Sequence, residues 1–207
     1  MIQNYLLRKP KFYECMHAVF SDVKNEYLLR HLSGYRVAEK IRVIDLGCGP
    51  GTNAHLFIDP GRYEYLGIDN NPGYIKQARK KFPLEFRCAD IVDALEDPAR
   101  YDIVLINSVI HHIDESTARL VFQAAAGLLT PEGECLVLDM VHPDVRKPAN
   151  LLQRALISLD RGTYCRSFGQ LQKEIGSFFN IQKVYDFSIS PGALLLWDLR
   201  LLVCRPR

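Results

Sequence analysis

The sequence predicts an α/β protein: a doubly wound, seven-stranded, mostly parallel sheet with a C-terminal antiparallel hairpin. Three observations carry this. Apolar, strand-like runs at 41–46, 63–68, 84–88, 102–106 and 134–140 alternate with helix-patterned segments, and strands joined by crossover helices run parallel with helices on both faces. The last two runs, 181–189 and 194–204, are separated by little more than "SPGA". That connection is too short for a crossover, so the two strands pair antiparallel at one edge. Finally, "VIDLGCGPGTN" at 43–53 carries the first strand straight into Gly47, Gly49 and Gly51, a loop that lets backbone approach a nucleotide-like cofactor.

At 207 residues the chain reads as one domain with a sizeable core. Residues 1–40 form a helical cap, 41–140 the cofactor-binding core, 141–180 a helical insertion on the substrate side, and 181–207 the terminal strand pair. In the cap, Phe12, Met16, Val19, Phe20, Val23 and Tyr27 fall on one helical face. "NPGYIKQARKKF" offers Asn71 as N-cap with Pro72 in the first helical position. "DESTARLVFQAAAGLL" opens on acidic residues and repeats apolar side chains at helical spacing. The insertion holds two helices, "RKPANLLQRALISLD" and one opened by a Ser167…Gln170 capping box. Phe168, Phe178, Phe179 and Trp197 read mainly as core.

The net charge of +2 is unevenly spread. Residues 1–40 carry 7 basic and 4 acidic side chains, 141–207 carry 10 and 5, and 41–140 carry 9 and 15. An acidic centre argues against pyrophosphate or nucleic-acid backbone binding there. The basic ends read as solvated surface or as a face toward an anionic substrate. The six cysteines are never closer than thirty residues, which gives no zinc or redox spacing. "MIQNYLLRKPKFYE" lacks the apolar run of a signal peptide, and Asp198 and Arg200 interrupt the apolar "ALLLWDLRLLVC". The expectation is a cytoplasmic protein with no membrane partner.

The glycine loop discriminates between cofactors. A dinucleotide fingerprint needs a third glycine where this chain has Thr52. Asp45, two residues before the first glycine, would repel a pyrophosphate but suits the ammonium and sulfonium of S-adenosylmethionine. The second strand ends at Asp69, 24 residues after Asp45, where a carboxylate accepts ribose hydroxyls in either cofactor class. "FRCADIVD" sets Asp90 and Ile91 beyond the third strand, for the adenine amino group and ring nitrogen. "YDIVLINSVIHHI" ends the fourth at Asn107. Each aspartate alone also reads as a strand-end turn residue; the ordered set points to a site.

That set, D-L-G-C-G-P-G at 45–51, Asp69, A-D-I at 89–91 and "NSVIHHI" after strand four, resembles the class I S-adenosylmethionine-dependent methyltransferases over about residues 41–140. The resemblance implies that Asp45, Gly47, Cys48 and Gly49 line the methionine end of S-adenosylmethionine. Asp69 would hold the ribose with Asn70 near the adenosine, Asp90 and Ile91 the adenine, and Asn107 the methionine end, the product being S-adenosyl-L-homocysteine. Methyl transfer needs alignment more than acid–base help, but an acceptor that must lose a proton needs a base. His111 and His112 are the candidates, His142 a weaker one; Tyr5 and Tyr13 are further cap residues that can close over the cofactor.

"INSV" is not the N/D-P-P-Y pattern used on flipped bases. No second acid adjoins Asp139 as magnesium-dependent catechol-type enzymes require, so no metal is expected. The function read is metal-independent methylation of a small molecule, oxygen favoured over carbon or nitrogen. Two alternatives stay open: an RNA or protein methyltransferase with a groove lined by Arg146, Lys147, Arg154, Arg161 and Arg166, and a non-catalytic module that binds cofactor or partner. Oligomeric state is left open.

Overall fold

The computed structural model describes residues 22–35, 40–93, 98–143, 154, 164–189 and 197–207. Its seven strands are β1 (Ile41–Leu46), β2 (Tyr63–Asp69), β3 (Glu85–Cys88), β4 (Tyr101–Asn107), β5 (Leu129–Val141), β6 (Phe179–Ile189) and β7 (Trp197–Pro206), in sheet order β3-β2-β1-β4-β5-β7-β6. The first five pair in parallel. β7 inserts antiparallel between β5 and β6, so the terminal pair lies at one edge, as the short connection predicts. That connection, 190–196, lies outside the described residues, as do Tyr5, Phe12, Tyr13, Met16, Val19 and Phe20, and all of "RKPANLLQRALISLD" except Arg154.

Helices cover both faces. α1 runs over 22–32, α2 is Pro72–Lys81, α3 Glu115–Leu128 and α4 Phe168–Ile175. Strand alternation divides the core accordingly. Val43, Ile103, Leu105, Leu136 and Leu138 pack with Leu28 and Leu32 of α1 and Ile75 and Ala78 of α2. Ile44, Val104, Ile106 and Val137 pack with α3 and α4 through Phe122, Leu128, Leu171 and Ile175. Tyr27 of α1 stacks on Phe187 of β6, ring centroids 4.0 Å apart. Phe179 and Trp197 are buried.

The caps read at Asn71 and Ser167 form, and the acidic start of α3 supplies a third at Asp114. Asn71 accepts from the N–H groups of Gly73 and Tyr74, Asp114 from Thr117, and Ser167 and Gln170 form the reciprocal capping box; each cap contributes about 1 kcal/mol. Two elements differ from expectation. The β1–β2 connection holds only a 3-10 turn, Ala54–Phe57, because Asp59-Pro60-Gly61 follows at once and Asp59 Oδ1 takes the Gly61 N–H at 2.9 Å. β5 begins at Leu129 rather than 134, pairing Leu129 with Tyr101 before a register break. Gly133 lets the strands close there, since a Cβ on it would lie 2.9 Å from the Tyr101 carbonyl oxygen. No helix among the described residues is long and apolar enough to cross a membrane.

Candidate active site

The strand order reverses direction between β1 and β4, and ligands of open α/β sheets bind outside the carboxyl ends of strands at such a switch point. The glycine loop after β1 and the Asn107–Ser108 step after β4 flank that crevice. Gly47, Gly49 and Gly51 all have positive φ (79°, 56° and 81°). Gly47 is the tightest: a Cβ there would meet Val109 Cγ2 at 2.5 Å. The two strand-end loops therefore touch, and the contact requires glycine.

Asp69 closes the loop from β2. Its Oδ2 accepts the Gly49 N–H at 2.9 Å and its Oδ1 the Asn71 N–H at 2.8 Å, and each oxygen keeps a lone pair for a hydroxyl. Asp69 and Cys88 are register partners, so Asp90 and Ile91 lie just beyond the neighbouring strand. Asp90 is exposed, with Oδ1 accepting the Val92 N–H, and Asn70 is exposed too, its carbonyl oxygen facing the Cys88 thiol. Cys48 is buried, and burial pushes its thiol far up. Its sulfur packs between Gly67 and the Gly49 carbonyl oxygen.

Asp45 is fully buried. Oδ2 accepts from Tyr65 Oη at 2.9 Å and Asn53 Nδ2 at 3.2 Å, while Oδ1 has no partner among the described residues. Burial raises its carboxyl to about 6, against the lowering effect of the two hydrogen bonds and with a further push from the Asp69 charge. The polar chain continues outward. Asn107 Nδ2 donates to Asn53 Oδ1 at 2.7 Å, Ser108 Oγ donates to Asn107 Oδ1, and Lys24 Nζ of α1 donates to Ser108 Oγ. Ser108 is the one non-glycine with positive φ among the described residues (59°), a strained conformation of the kind that clusters at functional sites.

On the other side of β4, Asp139 and His111 meet. His111 Nδ1 donates to Asp139 Oδ1 at 2.5 Å, and the same carboxylate accepts the N–H groups of Met140, Ile110 and His111. Burial alone would raise the Asp139 carboxyl. The His111 ring, the Met140 N–H and the charge of Lys24 outweigh it and hold the carboxyl below its ordinary value. An ionised Asp139 keeps the proton on Nδ1, so a neutral His111 has its lone pair on Nε2. His111 is 4% exposed and its ring lies 3.9 Å from that of exposed His112.

Arg166 locks this turn. Its Nε pairs with Glu174 at 2.7 Å, and Nη1 reaches the carbonyl oxygens of Ile110 (2.7 Å), Ile113 (3.2 Å) and Tyr164 (2.9 Å). The expectation that Arg166 lines a nucleic-acid groove is therefore corrected: the residue is buried and committed to Glu174 and backbone. Exposed His142 donates its N–H to the Arg166 carbonyl oxygen, and burial and the Arg154 charge lower its ring.

Sequence reasoning missed the Asp139–His111 pair, the Arg166 lock, Ser108 and Lys24. The signal for the first was in hand: an acid ending β5 beside a strand whose next turn carries histidine. A groove of about 530 Å³ lies at the far end of the sheet, lined by Arg30, His31, Glu134, Lys183 and Arg205 among others. There His31 and Arg205 pair with Glu134, and Arg30 with Glu26.

Residues 43–133 match the family model described as a methyltransferase domain. Among curated relatives, a trans-aconitate 2-methyltransferase of Methylobacterium nodulans is 31% identical over 140 residues, 65% of this chain and 51% of that protein. A trans-aconitate 2-methyltransferase of Methylobacterium radiotolerans is 33% identical over 157 residues, 72% of this chain and 56% of that one. The chain thus spans about half the length of the curated relatives it matches. In fold it is similar to magnesium protoporphyrin IX methyltransferase from Synechocystis PCC 6803 with bound SAH, at TM-score 0.68 and 16% identity, covering 92% of this chain and 84% of that one. Residues 43–133 are thus a methyltransferase domain, similar to those of the class I S-adenosylmethionine-dependent methyltransferases.

Proposed function

We propose that this protein transfers the methyl group of S-adenosylmethionine, in line and without a metal, to an oxygen of a small molecule. One observation carries the cofactor reading: two carboxylates, Asp45 with an oxygen unpartnered among the described residues and Asp69 bound to the loop backbone, flank a loop of three positive-φ glycines. That donor set fits a cationic ligand without phosphate. Gly47, Cys48 and Gly49 line its methionine end by backbone with Asn107 opposite, Asp69 takes the ribose hydroxyls with Asn70 alongside, and Asp90 and Ile91 take the adenine. S-adenosylmethionine supplies an already activated methyl group as a sulfonium.

An acceptor oxygen lone pair forms the new O–CH3 bond while the S–CH3 bond breaks, and the bonding pair stays on sulfur as a neutral thioether. Where the oxygen begins as a hydroxyl, Nε2 of His111 takes its proton, with Asp139 holding the ring in the required tautomer; His112 shields that ring. The names of the trans-aconitate relatives support a small acceptor, and the loss of Arg166 from the basic groove weakens the RNA or protein alternative. Arg146, Lys147 and Arg161 lie outside the described residues.

Calorimetric titration with S-adenosylmethionine, S-adenosylhomocysteine and NAD tests the reading. Micromolar binding of the first two, silence with NAD, and a weakening of about tenfold or more in Asp69→Ala are expected, with the melting temperature checked in parallel. A folded protein that binds NAD, or neither methionine compound, overturns it.

A further inference from the structure

We propose that Asn53 is a positioning residue of the cofactor site: its buried amide ties the end of β4 to Asp45 and so keeps a negative charge beneath the glycine loop. The inference rests on the cofactor reading and extends it to a residue that acts through another. Asn53 stands at the start of the 3-10 turn Ala54–Phe57, where an asparagine ordinarily caps, yet its side chain makes no capping bond there. It is 3% exposed. Both ends of its amide are instead committed to the two strand ends of the switch point. Nδ2 donates to Asp45 Oδ2 at 3.2 Å, and Oδ1 accepts from Asn107 Nδ2 at 2.7 Å.

The direction of these bonds follows from the two ends of the chain. An ammonium only donates and an ionised carboxylate only accepts. Lys24 therefore donates to Ser108 Oγ, which spends its own proton on Asn107 Oδ1. Further donation by the ammonium leaves that order unchanged. Asn107 is left with Nδ2 toward Asn53, so Asn53 turns its oxygen to Asn107 and its N–H groups to Asp45. Every donor points toward the same carboxylate, and bonds aligned in this way polarise one another where the dielectric is low. Asp45 is fully buried, two residues before Gly47, so it serves a cationic cofactor as a counter-charge rather than as a contact. A counter-charge exists only while the carboxyl is ionised. Burial pushes that carboxyl up to about 6, with the Asp69 charge adding to the push, and the bonds from Asn53 and Tyr65 act against it. The Tyr65 hydroxyl and the Cys48 thiol also face Asp45, and burial raises both, so neither titrates near neutrality. Removing the Asn53 bond to a charged acceptor should raise the carboxyl by about one further pH unit.

S-adenosylmethionine is titrated calorimetrically into the parent, Asn53→Leu, Asp45→Asn and the double variant between about pH 5 and about pH 8, with melting temperatures checked in parallel. Affinity of the parent should fall as pH drops through about 6, where Asp45 takes up its proton. In Asn53→Leu that fall should begin about one pH unit higher. Its deficit against the parent should therefore be greatest near pH 6, about three- to fivefold, and should close to parity by about pH 8. On the Asp45→Asn background the same substitution should change affinity less than about twofold at any pH. Asn53→Ser, whose hydroxyl is too short to span both partners, should show the same displaced profile, and it takes the place of the leucine variant if that one does not fold. A parent-like profile, a deficit equal at every pH, or losses that add in the double variant overturns the inference, while intact binding by the parent leaves the cofactor reading standing. A parent that fails to bind S-adenosylmethionine sinks that reading instead, and the inference with it.

Discussion

Replacing Asp45 by asparagine should trade cofactor binding for stability. The carboxyl of Asp45 rises from 3.8 to about 6 on folding because burial outweighs the hydrogen bonds from Asn53 and Tyr65. A folded value above the unfolded one means that the native state holds the proton more tightly. The resulting stability is full below the unfolded value and is lost as pH climbs through about 6. Two pH units at about 1.4 kcal/mol each make the loss on the order of 3 kcal/mol. The asparagine side chain keeps an acceptor for Asn53 and Tyr65 and carries no charge, so the variant lacks this pH-dependent loss. Urea unfolding of the ligand-free proteins from pH 4 to pH 8 should therefore show the stability of Asp45→Asn minus that of the parent climbing by roughly 3 kcal/mol. The offset of that curve depends on how the new amide N–H groups are satisfied; its slope does not. In the same variant, S-adenosylmethionine should bind at least about tenfold more weakly, because the cation loses its buried counter-charge. A difference curve that is flat, or falls with pH, would refute the argument, as would undiminished cofactor affinity.

Two further substitutions probe the histidine turn. Arg166→Met should cost about 3–5 kcal/mol by leaving Glu174 buried without a partner, while the double variant with Glu174→Leu should recover much of that loss. Chemical denaturation of the two single and one double variants checks this, and simple additivity would rule out the buried pair as its source. Asp139→Asn should lower kcat for a hydroxyl acceptor by about a hundredfold or more at neutral pH. The deficit should narrow at high pH, where the acceptor ionises unaided, with cofactor affinity unchanged; a loss equal at every pH would mark Asp139 as purely structural.

Much of this molecule was legible in one dimension for reasons that are local. Caps at Asn71, Asp114 and Ser167 act within four residues of chain, and the alternation of β4 or β7 between two packed faces is a period-2 signal. The glycine loop is local too, since left-handed backbone at Gly47 and Gly49 is a property of the residue type. Less legible were the early start of β5, hidden under the turn-like "LTPEG", and the short β1–β2 connection.

The sequence by itself determined the strand and helix succession, the doubly wound class, the edge position of the terminal pair and the carboxylates flanking the loop. Only the tertiary structure decided what those groups do to one another. Asp139 and His111 are 28 residues apart, Lys24 and Ser108 are 84 apart, and Arg166 lies more than fifty residues from the turn that it holds. Such pairs form because parallel crossovers deliver successive strand ends to one edge of the sheet, and α1 and the 164–167 segment are laid across that edge. Hydrogen bonding and burial then sort three aspartates of identical chemistry into different states. Asp45, with a bare oxygen, is pushed toward protonation, Asp139, with four N–H donors, is held ionised, and Asp69 bridges two loop amides. Side-chain environment is a property of the packed edge, so no reading of one residue type at a time could assign it.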